Sequence, residues 1–163
     1  MRNELFEVSK FCLDKLIEQH KTVSFAESCT GGLLAKAITD HSGASDAFEC
    51  GVVSYSGKIK SALLQVSEET LETYGEVSAQ TAIEMAEGIR RVSGADIGVG
   101  VTGIAGPTGG TPEKKVGLIY VSISDVKDTR VYPLELYDAT LTRADRREYT
   151  ACFVYRKILE LLN

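Results

Sequence analysis

Apolar residues recur at helical spacing from the start of the chain. Leu5, Val8, Cys12 and Leu16 share one stripe with Phe11 beside them, which predicts a helix over residues 4–19. The pattern then shortens. TVSFAE (22–27) reads as a strand, GGLLAKAIT (31–39) as a helix, AFECGVVSY (47–55) as a strand and 57–64 as a short helix. Ser78 is placed to cap the next helix, whose Ala82, Met85, Ile89 and Val92 fall on one face. In ADIGVGV (95–101) Gly98 and Gly100 leave one face of a strand bare for close packing. A glycine-rich loop, 102–117, follows. GLIYVSIS (117–124) and 129–136 predict adjacent antiparallel strands, and a last helix runs from about Arg143 to Leu162 with Phe153, Ile158 and Leu161 on it. Mixed strands and helices without repeats or linkers predict an α/β chain: a single-domain three-layer α/β/α sandwich around one mixed sheet, covering residues 1–163.

Composition narrows the function classes. The 163 residues are 44% apolar and 25% charged, ordinary for a globular domain, and the formal net charge of −5 argues against general nucleic-acid binding. No segment approaches the ~20 apolar residues of a membrane span, and MRNELFEVSKF has mixed charge unlike a signal peptide. Cys12, Cys29, Cys50 and Cys152 are scattered without a C-x-x-C pair and read as reduced thiols of a cytoplasmic protein. No metal or cofactor is expected. His20 and His41, the two histidines, both fall at helix ends.

Two glycine-bearing loops follow predicted strands, Ser28–Gly32 and Thr102–Gly110, and ligands of open sheets bind beyond strand carboxyl ends. The second lacks the Lys-Ser/Thr ending of a P-loop and the first lacks G-x-G-x-x-G, yet glycines let N–H groups converge on an anion. Ser28 has three readings: a helix cap, a role Thr30 could equally fill, part of a phosphate loop, or a nucleophile. Cys29 is a rival nucleophile or buried filler. With histidine scarce, lysine is the alternative base if burial lowers its pKa. VVSYSGKIK (52–60) offers Tyr55, Lys58 and Lys60, with Lys60 deeper in an apolar segment.

Four stretches, AESCTGG (26–32), GVVSYSGKIK (51–60), GEVSAQTAIEMAEG (75–88) and TGIAGPTGGTPEKKVG (102–117), resemble the CinA C-terminal family in that order. The resemblance extends from Val23 to the last helix. Standalone bacterial members of that family are nicotinamide-nucleotide amidases, so it implies hydrolysis of nicotinamide mononucleotide to nicotinic acid mononucleotide and ammonia, within pyridine-nucleotide (NAD) recycling. The motifs imply Ser28 as nucleophile, Lys60 as base and Tyr55 as proton relay. They imply substrate binding by Thr30, Gly31, Gly32, Thr102, Gly103, Ile104, Ala105, Gly106, Arg143 and Arg147. The glycines at 31 and 32 are expected to open helix-start N–H groups to an oxyanion. Two departures stand out. The family often has Asn-Glu where this chain has Gly57-Lys58, and of its late arginine cluster only Arg143 and Arg147 keep the i, i+4 spacing. A non-catalytic nucleotide-binding domain, or a regulatory or oligomerisation domain of the competence/damage-inducible type, is the alternative. A homo-oligomer would suit the amphipathic first helix.

Overall fold

The computed structural model describes residues 2–163, with side chains from Glu4 onward. The elements are helix α1 (Arg2–Glu18), strand β1 (Val23–Glu27), α2 (Leu33–Thr39), β2 (Phe48–Val53), α3 (Gly57–Leu64), α4 (Glu68–Tyr74), α5 (Ala79–Ser93), β3 (Ile97–Gly103), β4 (Leu118–Ser124), β5 (Thr129–Glu135) and α6 (Arg143–Leu162). They build one five-stranded sheet in the order β2-β1-β3-β4-β5. β1 pairs in parallel with β2 and β3, whereas β3–β4 and β4–β5 are antiparallel. Helices cover both faces, giving the three-layer sandwich that the alternation predicts.

Period-two alternation divides the side chains between the layers. Val23 and Phe25 of β1 join Ile97, Val99 and Val101 of β3 in the core under α1, α2 and α6, with Cys12, Leu16, Leu34 and Tyr155 packed against them. On the other face, Ala26 packs with Leu64, Met85 and Ile89 from α3 and α5. That layer is thin because Gly98 and Gly100 bring α5 onto the backbone of β3. A Cβ at Gly100 would lie 2.4 Å from the Ala82 carbonyl oxygen, and one at Gly98 would lie 2.3 Å from that of Ala86.

Gly100→Val should therefore force α5 off the sheet, at a cost of about 3 kcal/mol. Val92→Ala is the contrast. Val92 was expected on the same face of α5 as Met85 and Ile89 but is 56% exposed in the last turn of the helix. Its truncation should change stability by less than about 0.5 kcal/mol. Denaturant midpoints of the two variants check both values.

Other boundaries moved where turn chemistry overrode periodicity. The strand expected over 95–101 starts at Ile97 and continues through Gly103. The strand expected to reach Tyr55 ends at Val53, so Tyr55 sits in the turn before α3. Helix α4 was not anticipated. Ser67 caps it, and Thr70 and Ser67 anchor it to Glu84 of α5. Ser78 caps α5 as expected, accepting from the Thr81 N–H.

Candidate active site

Three parallel strands run side by side, so their carboxyl ends open on one edge of the sheet. The connection leaves β1 for β2 on one side and returns to β3 on the other, the reversal at which open α/β sheets form a crevice. Ser28 follows β1, Tyr55 follows β2, and Ile104–Gly106 follow β3. Cys29, Tyr55, Gly103, Ile104, Ala105, Gly106, Thr108, Gly109 and Arg143 enclose a cleft of about 320 Å³ there.

Helix α3 returns from the edge and brings Lys60 under Ser28. Lys60 Nζ lies 3.0 Å from Ser28 Oγ, 2.7 Å from the Ser54 carbonyl and 3.3 Å from the Tyr55 carbonyl. The side chain is 1% exposed. Burial pulls its ammonium pKa down from the ordinary lysine value, opposed by the negative charge of Glu76. Once neutral, the amine can keep two N–H bonds to the carbonyls and turn its lone pair to the serine hydroxyl.

Ser28 caps nothing. Its own N–H donates to the Val101 carbonyl across the sheet, 3.0 Å away. The cap of α2 is Glu27, whose buried carboxylate accepts from the N–H groups of Gly32, Leu34 and Ala35 at 2.9–3.1 Å. A side chain from the preceding strand thus supplies the anion that a helix start favours. The N–H of Gly31 donates to the Ser28 carbonyl. Gly31 and Gly32, expected to open helix-start N–H groups to an oxyanion, spend their own N–H groups within the loop, with φ of 60° and 94°. Among the described residues no acceptor takes the main-chain N–H of Cys29 or Thr30 by a bond to another residue, so these are the donors open beside Ser28. Missing Glu27 in the sequence is understandable, since its i to i+5–8 reach fits no capping-box spacing.

The remaining candidates divide. Tyr55 turns its hydroxyl to Arg143, which donates at 2.9 Å, so the ring walls the cleft and its hydroxyl is occupied away from Lys60. Arg143 also donates to the Gly106 carbonyl at 2.7 Å. Arg147 donates to the Thr30 carbonyl at 2.7 Å and braces the Ser28–Gly32 loop. Thr102 is buried and donates to the Glu76 carbonyl at 2.7 Å. Ala105 belongs to the core, and its carbonyl accepts from buried Arg146. Arg146, passed over in the sequence, also holds the Leu136 and Asp138 carbonyls and fixes the chain beneath the cleft. The Thr30 hydroxyl is buried without a partner among the described residues. Burial pushes the Cys29 thiol up to about 12, so it is protonated at neutral pH.

The histidines lie elsewhere. His41 is buried against Ser9 and Phe6, and His20 follows α1 at the opposite end of β1, about 3.3 Å per residue away along the strand. Among the described residues no group of His, Cys, Asp and Glu could hold a metal ion, and no helix is long and apolar enough to cross a membrane.

Fold and edge define an α/β/α domain with a buried Ser–Lys pair at the carboxyl ends of its parallel strands. The profile of the CinA C-terminal domain matches residues 5–162, so the chain belongs to that family. A CinA-like protein of Endomicrobium trichonymphae is 50% identical over 135 residues, 83% of this chain and 31% of that protein. A relative from Kosmotoga olearia, also named CinA-like, is 47% identical over 142 residues, 86% of this chain and 34% of the other. The chain thus spans about a third of the length of these curated relatives. Among solved structures, a competence/damage inducible protein from Agrobacterium tumefaciens superimposes with a TM-score of 0.94 at 35% identity, covering 98% of this chain and 96% of that one. A CinA superfamily protein from Klebsiella pneumoniae gives 0.92 at 28%, covering 97% of each.

Proposed function

We propose that the chain is a Ser/Lys amidohydrolase that converts nicotinamide mononucleotide and water to nicotinic acid mononucleotide and ammonia. The observation that carries the reading is the buried Lys60 amine 3.0 Å from Ser28 Oγ, next to Cys29 of the cleft wall. A structural lysine gains nothing from burial beside a serine, whereas a general base needs its pKa lowered.

Ser28 Oγ attacks the carboxamide carbon while Lys60 accepts the hydroxyl proton. The N–H groups of Cys29 and Thr30 receive the developing oxyanion. Lys60 then returns the proton to the departing ammonia, and water enters to hydrolyse the ester by the same exchange in reverse. Tyr55 acts here as a wall of the cleft and not as a relay. The resemblance to nicotinamide-nucleotide amidases supports the choice of amide, and Arg143 in the cleft lining supports a phosphate-bearing substrate.

Selectivity tests this reading. Charge-assisted hydrogen bonds to phosphate are worth about 1.5–3 kcal/mol each, so the unphosphorylated riboside should be a much poorer substrate. The loop residue suited to a probe is Thr108, which is exposed and lines the cleft, because Ala105 is only 2% exposed and would not tolerate a charge. Thr108→Asp should lower kcat/KM for the mononucleotide at least about tenfold and leave the slow riboside reaction nearly unchanged. A wild-type mononucleotide-to-riboside ratio near one would remove the phosphate from the account.

A further inference from the structure

Glu76 sits between α4 and α5 with its main chain tied to the catalytic edge, since its carbonyl accepts from Thr102, the neighbour of cleft residue Gly103. Its carboxylate lies over the first turn of α3. A Cβ at Gly57 would lie 2.7 Å from Glu76 Oε1, so glycine at that position makes room for the acid. Lys60 is three residues further along the same helix and shares that face. Among the described residues no side chain hydrogen-bonds or ion-pairs with the carboxylate, although it is exposed beside a site otherwise rich in cations.

The charges around Lys60 explain what such an acid can do. On its own helix stands Lys58, and α6 contributes Arg143. The glycine-rich loop contributes Lys114, whose ammonium bonds the Tyr74 carbonyl close to Gly75. From the β1 loop come the protonated Cys29 thiol and Glu27, whose carboxylate is consumed by three N–H groups. Glu76 is therefore the anion with charge to spare. The ring of an N-ribosylated nicotinamide is itself a cation, and its carboxamide must reach Ser28 beside Lys60.

We propose that Glu76 is the specificity residue for the cationic ring: its carboxylate, over the first turn of α3, favours the Lys60 ammonium through space in the free protein and pairs with the pyridinium when substrate binds. This rests on the amidase reading. Losing its counter-charge and gaining a cationic neighbour, Lys60 releases its proton from Nζ to solvent and becomes the neutral base as the ring arrives. A neutral aromatic amide leaves the Glu76 charge acting on Lys60 and finds the base protonated. The site thus chooses an N-alkylpyridinium carboxamide over its uncharged isostere both in binding and in activation.

The test compares nicotinamide mononucleotide with benzamide riboside 5′-monophosphate, the neutral carbon isostere. Their dissociation constants are measured by calorimetry in the Ser28→Ala background, with and without Glu76→Gln. The acid should favour the cation, so Glu76→Gln should weaken the mononucleotide about tenfold and leave the isostere within about twofold. Equal weakening of both, or of neither, would overturn the assignment. In turnover, the rise of kcat with pH should lie about one unit below that of kcat/KM for the mononucleotide, and Glu76→Gln should close this gap. Coincident profiles in the wild type would overturn the proton release. Ammonia release by the wild type is scored separately. Without it the amidase reading falls, while the calorimetric preference still decides whether the cleft selects a cationic ring.

Discussion

Ser28→Ala should lower kcat for nicotinamide mononucleotide by roughly 10⁵-fold while the protein stays folded and still binds the nucleotide. The change removes one oxygen from a 7%-exposed side chain whose main-chain bond to Val101 is untouched. The cap of α2 survives as well, because Glu27 and not Ser28 provides it. What disappears is the atom proposed to form the acyl bond. Cys29→Ala is the matched control. Its thiol is buried and protonated at neutral pH, so the variant should keep most of the activity. An active serine variant beside an inactive cysteine variant would reverse the assignment. Steady-state kinetics and a calorimetric dissociation constant on each protein suffice.

Lys60→Met should cost about 10²–10⁴-fold in kcat, the usual worth of a positioned general base. Lys58→Met, on an exposed neighbour, should cost little. Methionine matches the apolar stem of lysine, so the exchange tests the amine and not the packing. The pH dependence carries the same information with a definite sign. Only the neutral amine can take the serine proton, and burial holds the Lys60 pKa below the ordinary lysine value. The wild-type rate should therefore climb as pH rises through that lowered value and level off above it. The residual rate of Lys60→Met should lack the climb. A chemistry-limited wild-type rate that stays flat from about pH 6 to 9 would exclude Lys60 as the titrating base.

Much of this architecture was legible in residue order. The bare face at Gly98 and Gly100 announced a helix lying directly on the sheet, and α5 lies there. Ser78 announced the start of α5 through its capping oxygen. These are local signals, and local physics sets them. The site is harder to read, because it depends on which strand ends are neighbours. Strand order puts β1 between β2 and β3, and only then does a serine meet a lysine 32 residues away. Tyr55 illustrates the limit. Its place in the motif was visible, but the direction of its hydroxyl depends on Arg143, 88 residues further on. The same holds for Glu27, whose capping role needs the β1–α2 loop folded over it. Glycine at 57 reads as a turn in the sequence, and only the packed structure shows it leaving space for Glu76.

The central claim is that this chain hydrolyses the carboxamide of nicotinamide mononucleotide with protein groups alone. The most direct measurement follows ammonia and nicotinic acid mononucleotide together, from purified protein and nicotinamide mononucleotide in the presence of a chelator. The account predicts both products in one-to-one ratio, at a rate proportional to protein and abolished in Ser28→Ala. Intact nucleotide after prolonged incubation with folded wild-type protein, or equal ammonia release by the Ser28→Ala protein, would contradict it.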